Sequence, residues 1–111
     1  MASWKLRQPI KLKNMKAIFI VYNQAHTEKV EYILNKMDIS GYTQWTDMKG
    51  RGDRGGVPHL GTHTWPEINS ATLTIVDDDK VQGVLDAVET MDEINTDVGA
   101  RAFVWDITAS V

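Results

Sequence analysis

His59 and His63 are the only pair in the sequence with the spacing of metal ligands. Neutral imidazole binds Zn²⁺ and Cu²⁺ readily. Gly61 between them, with Pro58 and Pro66 on either side, argues against a helix that would align the two rings. Two ligands are too few for a closed zinc site. Asp53, His26 or a neighbouring subunit would have to complete the shell. The plainer reading is a pair of polar loop residues that hydrogen-bond locally or meet a partner. Arg51, Arg54 and, further on, Arg101 suit a different chemistry. A guanidinium grips phosphate or carboxylate with two parallel hydrogen bonds. Backbone N–H groups of Gly50, Gly52, Gly55 and Gly56 could form a nest for the same anion. Lys49 precedes them, and Gly99 precedes Arg101 by two positions. No nucleophile, base and orienting group stand together as a catalytic set would.

The stretch that carries most of these residues is itself unusual. Five of the eight glycines fall between Gly50 and Gly61, with two of the three histidines and two of the three prolines close by. Structureless connections beyond about 12–15 residues are uncommon and usually functional or disordered. We read Gly50 to Glu67 as a loop presented to a ligand, metal or partner. Asp53, Gly55, Gly56, Leu60 and Trp65 are its candidate recognition residues. Trp65 before Pro66 could anchor the loop's return, and Trp45 and Trp105 read as packing residues. Arg51-Gly52-Asp53 also spells an adhesion tripeptide, which the lack of a secretion signal makes a weak reading.

The elements that must position the loop repeat. Lys16–Tyr22 is an apolar run rich in isoleucine, valine and aromatics, which predicts a buried strand. Thr27 is placed to cap a helix with apolar positions Val30, Ile33, Leu34 and Met37, the stripe of one helix face. Tyr42–Lys49 reads as extended. After the loop, Ala71–Val76 alternates like a strand. Asp79 and Gln82 have the spacing of a capping box, and the acidic run Asp77, Asp78, Asp79 suits a helix N-terminus. The second stripe is Val81, Val84, Leu85 and Val88. Asp92–Arg101 is a polar connector, and Ala102–Ile107 the last strand. Strand–helix–strand, long loop, strand–helix–strand predicts an α+β, ferredoxin-like βαββαβ sandwich. Two helices cover one face of such a sheet. The first strand is apolar on both faces, with Phe19 and Val21 alternating with Ile18 and Ile20, and the last strand is nearly so. A soluble chain rarely leaves such a face bare. Self-association with closed symmetry is the expected answer.

Composition agrees with a single domain of 111 residues. A formal net charge of −3 excludes the strongly basic face of most nucleic-acid binders. With no cysteine, disulfides and thiolate zinc sites are excluded. No apolar run approaches a membrane span. Residues 1–14 hold four basic residues and no acidic one. They read as a disordered leader, native or appended, or as a basic arm, ahead of a folded domain over residues 15–111.

From Met15 to about Thr108 the chain resembles the PII signal-transduction proteins, the nitrogen regulatory protein family. The element order matches, and Lys49-Gly50-Arg51-Gly52 resembles the motif at the base of that family's T-loop. The resemblance implies a cytoplasmic homotrimer, not an enzyme. It implies an adenine nucleotide or another anion bound in clefts between subunits, at Lys49, Gly50, Arg51, Gly52, Arg54, Gly99 and Arg101. It implies control of a target protein, such as a transporter, through the loop. The departures are specific. No tyrosine lies between Lys49 and Asn69, and the connector before the last strand carries one glycine and Arg101. Pro58-His59-Leu60-Gly61-Thr62-His63-Thr64-Trp65-Pro66 resembles a divergent PII-like group associated with metal efflux, which implies Zn or Cu at His59 and His63 as the alternative. Val81-Gln82-Gly83-Val84 matches part of the acylphosphatase signature, but Leu85-Asp86 follows where that enzyme needs an arginine.

Overall fold

The computed structural model describes residues 14–50, 67–95 and 99–111. Strand β1 is Met15–Asn23 and leads through a 3-10 turn, Gln24–His26, into helix α1, Thr27–Lys36. Strand β2 is Thr43–Gly50 and strand β3 is Glu67–Asp77. A second 3-10 turn, Asp78–Lys80, opens helix α2, Val81–Ile94, and β4 is Arg101–Asp106. The strands form one sheet in the order β2-β3-β1-β4, antiparallel at every pairing. This is the predicted ferredoxin-like order, with both helices on one face.

Side-chain alternation sorts each strand between two environments. Ile18, Ile20 and Tyr22 of β1 face the helices and are fully buried. They pack with Val30 and Leu34 of α1, Val84, Val88 and Met91 of α2, and Val76. Ile33, Met37 and Val81 close the rim of this core. The stripe of α1 read in the sequence is therefore its core-facing side; on α2, Val81, Val84 and Val88 face the core, whereas Leu85 of the predicted stripe does not join it and Met91 does.

β3 presents an unusual row to the same core, since Ser70, Thr72 and Thr74 are buried there. Each has a partner, as burial of a hydroxyl requires. Thr72 Oγ1 lies 2.8 Å from the Tyr22 hydroxyl. Ser70 Oγ lies 3.2 Å from Thr27 Oγ1. Thr74 Oγ1 donates to the Gly41 carbonyl at 2.7 Å.

Among the described residues no helix lies on the opposite face. In one row Thr43, Leu73, Phe19 and Phe103 stand side by side across all four strands. Ile75, Ala17 and Trp105 make a parallel row. Phe19 stacks edge-on against Trp45 at 6.4 Å between ring centroids and tilts against Trp105 at 6.5 Å. Phe103 is 55%, Trp105 48%, Trp45 44% and Ile75 43% exposed in the single chain. Trp45 and Trp105 do pack, as the sequence suggested, but on the face that the helices leave open.

The helix starts differ from the expected caps. Thr27 is the first residue of α1, and its hydroxyl donates back to the Gln24 carbonyl at 2.7 Å. Asn23 does the capping one turn earlier, accepting from the Ala25 N–H at 2.9 Å. Asp79 lies inside the 3-10 turn, and Gln82 donates to Asp86 at 2.8 Å rather than closing a box. A 3-10 turn stands ahead of each helix, so α1 begins at Thr27 itself and α2 at Val81, two residues past Asp79. Lys80, the last residue of the second turn, reaches the carbonyls of Met37 and Asp38 at 2.9 and 3.1 Å. It thereby satisfies the free carbonyl end of α1. β3 begins at Glu67, four residues before the expected Ala71, because Ile68 and Asn69 pair with Lys49 and Met48.

Candidate ligand-binding end of the sheet

The C-terminal ends of β1 and β2 and the N-terminal ends of β3 and β4 lie at one end of the sheet. Lys49, Gly50 and Arg101 are therefore brought to the same end, with Gly99 just before β4. They are not brought together. β2 and β4 are opposite edges of the sheet, with β3 and β1 between them. Three strand spacings separate those edges by about 14 Å.

On the β2 side the strand carries an extra residue. Trp45 pairs with Ala71 but Met48 pairs with Asn69, so Thr46 and Asp47 both stand opposite Ser70. This is a β-bulge. Asp47 has φ of 57°, in the left-handed region that a non-glycine residue rarely enters. The side chain of Gln24 holds it there. Its carbonyl oxygen accepts from the Asp47 backbone N–H, and its amide nitrogen donates to Asp47 Oδ1 at 3.0 Å. The same carbonyl oxygen accepts from Ser70 Oγ at 3.3 Å. Beyond the bulge, Gly50 lies under the Asn69 side chain. A Cβ at position 50 would fall 1.8 Å from Asn69 Nδ2. That close approach is a physical reason for glycine at the second position of the Lys-Gly-x-Gly motif.

Behind this edge, Gln44 of β2 reaches Thr72 Oγ1 at 3.4 Å and the Tyr22 hydroxyl at 3.5 Å. Burial pushes the Tyr22 phenol above its usual value, and its hydrogen bonds to Thr72, Thr27 and Gln44 pull the other way. The phenol acts here as a neutral structural group.

On the β4 side, Asp92 of α2 organises the entry to the strand. Its Oδ1 accepts from the Ala100 N–H at 2.9 Å, and its Oδ2 pairs with Arg101 Nη1 at 3.4 Å. Arg101 Nη1 also donates to the Ala100 carbonyl at 2.8 Å. Gly99, with φ of 57°, supplies the backbone turn before this clamp. Arg101 remains about half exposed. At the far end of the sheet, Lys16 pairs with Asp106, and that hydrogen bond raises the ammonium's pKa.

Arg51, Gly52, Asp53, Arg54, Gly55, Gly56, His59, Leu60, His63 and Trp65 lie outside the described residues, as does the leader before Asn14. Among the described residues no group of three or more His, Cys, Asp or Glu side chains could hold a metal ion. No helix among them is long and apolar enough to cross a membrane. Sequence reasoning missed Gln24, Asp47, Asn69 and Asp92. Nothing in their local spacing marks them, because each acts on a residue from another element.

The model of the nitrogen regulatory protein P-II family matches residues 15–111. The chain belongs to the P-II family. This family is regulatory, and its fold is that of the sheet and helix pair above. Among solved structures, CPII, a nitrogen regulatory PII-like protein from Thiomonas intermedia K12 bound to ADP, AMP and bicarbonate, is similar over 87% of this chain and 93% of its own, at 20% identity and a TM-score of 0.68. The GlnK–ATP complex of B. subtilis is similar over 88% of this chain and 87% of its own, at 17% identity and a TM-score of 0.65. A DUF3240-family protein from Shewanella baltica OS155 shares the P-II chain's fold at 9% identity and a TM-score of 0.65, over 88% and 94% of the two chains. No curated protein matches the chain.

Proposed function

We propose that this P-II chain is a cytoplasmic, non-catalytic regulator that assembles as a homotrimer. It senses an adenine nucleotide, or another small anion, in clefts between subunits. Ligand binding shifts the population of conformations of the segment between Gly50 and Glu67, which then fits or misfits a target protein such as a transporter. The observation that carries this reading is the separation of Lys49 and Gly50 from Gly99 and Arg101 by the width of the sheet. One copy cannot close both groups on one phosphate. A neighbouring copy can, by setting the β2 edge of one subunit beside the β4 edge of the next. The uncovered face of Phe19, Trp45, Phe103 and Trp105 supplies the surface for that assembly. Relatives of the same fold bind ADP, AMP or ATP, which names the ligand class to try first.

Light scattering and calorimetry test the reading together. Scattering should give about three times the 12.5 kDa chain mass. ADP or ATP should bind, and Arg101→Ala should weaken binding at least tenfold, since a charge-assisted hydrogen bond is worth about 1.5–3 kcal/mol. A monomer overturns the reading, and a trimer that takes up neither nucleotide overturns adenine nucleotide as its ligand.

A further inference from the structure

We infer that Gln24 is a positioning residue: it latches β2 in its bulged register and so decides which face of the sheet Lys49 presents. Side chains alternate between the faces of a strand, so a slip of one residue moves every later side chain to the other face. β2 has two ways to run alongside β3 after Trp45. In the bulged register, Met48 pairs with Asn69, Lys49 with Ile68 and Gly50 with Glu67. Ile68 is in phase with Ser70, Thr72 and Thr74, the buried row, so Lys49 projects on the helix side. In the straight register, Asp47 would pair with Asn69, Met48 with Ile68 and Lys49 with Glu67. Lys49 would then project on the open face, the face that carries Trp45 and Phe19.

Intrinsic preference opposes the bulge. It leaves a residue unpaired in the ladder and puts Asp47, a residue with a Cβ, at φ of 57°. Gln24 supplies the compensation. Its amide makes a two-point contact with Asp47, one to the backbone N–H that the bulge frees and one to the carboxylate. Ser70 Oγ, the residue that the bulge straddles, donates to the same Gln24 oxygen. Gln24 is itself fixed by the turn that Asn23 caps ahead of α1. The latch therefore ties the start of α1 to the root of the segment that follows Gly50. The ligand consequence rests on the proposed nucleotide reading; the register consequence does not.

Cross-strand proton contacts by NMR on the isotope-labelled full chain test it. The wild type should show Met48–Asn69 and Lys49–Ile68 contacts. Gln24→Leu should replace them with Asp47–Asn69 and Lys49–Glu67 contacts, and amide exchange at Met48, Lys49 and Gly50 should quicken at least tenfold. Gln24→Glu, which keeps the acceptor but sets a second carboxylate against Asp47, should show both sets. The double variant Gln24→Leu/Asp47→Gly should restore the bulged contacts, because glycine needs no help at that φ. A fold merely damaged by losing Gln24 would not be rescued that way. ADP is the ligand probe. Its affinity should fall at least fivefold in Gln24→Leu and return in the double variant. If the wild type takes up no ADP, the nucleotide reading fails and the contacts alone judge the latch. Retention of the Met48–Asn69 contacts and of slow exchange in Gln24→Leu overturns the latch, whatever ADP does.

Discussion

Asp92 holds Arg101 at 3.4 Å, so the arginine proposed to meet an anion is already paired in the free chain. The arginine is about half exposed, the carboxylate less so, and the geometry is loose; surface pairs of this kind contribute about 0–1 kcal/mol. A phosphate can therefore compete for the guanidinium. Asp92→Asn keeps an oxygen for the Ala100 N–H but removes the competing charge. It should tighten ADP binding about two- to fivefold by calorimetry. Asp92→Ala loses the Ala100 contact as well and should lower stability by about 1 kcal/mol. Equal ADP affinity in wild type and Asp92→Asn would show that the pair does not compete with the ligand.

The open face should govern assembly. Phe103 and Phe19 sit directly opposite one another on β4 and β1, at the centre of the aromatic patch. Phe103→Asp places a carboxylate where the proposed interface would desolvate it, a change that a half-exposed site in a monomer would tolerate. Light scattering at micromolar concentration should fall from about three chain masses to the single 12.5 kDa chain. Circular dichroism should still report the helices. A trimer that survives Phe103→Asp would move the interface elsewhere.

Tyr22 gives the fold an alkaline limit. Burial holds its folded-state pKa above the ordinary 10.0. Below pH 10 the phenol is neutral in both folded and unfolded chains, and its contribution is fully present. As pH rises above 10 the unfolded chain ionises first, and stability is lost as pH climbs through the folded value. Lys16, also shifted upward by its bond to Asp106, acts in the same direction. Tyr22→Phe removes the titrating group but also the Thr72 partner, for a loss of about 1 kcal/mol at pH 7. Its melting temperature should then fall less steeply than that of the wild type between pH 9.5 and 11, a window set around the unshifted phenol pKa. Parallel curves would mean that Tyr22 does not set the limit.

How far the sequence discloses all this depends on range. Val30, Ile33, Leu34 and Met37 announce α1 because their spacing is local, and Val81, Val84 and Val88 do the same for α2. The caps are hidden because the 3-10 turns at Gln24–His26 and Asp78–Lys80 are too short to leave a period. Thr27 and Asp79 look like caps, but Thr27 is the first residue of α1 and Asp79 lies within the 3-10 turn ahead of α2. Ile68 and Asn69 of β3 do not alternate, so the strand is visible only from Ala71 onward. At the candidate site, Lys49, Gly50 and Arg101 are legible by residue type. That they lie on opposite edges of the sheet follows from the ferredoxin-like strand order as a whole, not from any pattern around the residues themselves. Gln24, Asp47 and Asp92 are illegible because each acts through a side-chain contact to another element.

Two glycines in close quarters should respond oppositely to alanine. A Cβ on Gly83 of α2 would lie 2.3 Å from Met37 Cε, the terminal methyl of a long side chain. Methionine is unbranched and can swing that methyl aside. Glycine within a helix is about 0.8–1.0 kcal/mol worse than alanine. Gly83→Ala should therefore stabilise the chain by about 0.5 kcal/mol once Met37 has moved. A Cβ on Gly50 meets Asn69 Nδ2 at 1.8 Å and its Cγ at 3.0 Å. Asparagine is short, and avoiding the clash means turning the whole side chain at the root of the proposed binding segment. Gly50→Ala should lose about 1–2 kcal/mol, in the range of overpacked sites. Urea midpoints, measured at one protomer concentration so that assembly does not shift them, decide the matter. A loss in Gly83→Ala as large as that in Gly50→Ala would show that Met37 is held as tightly as Asn69, and would make α1–α2 packing the reason for Gly83.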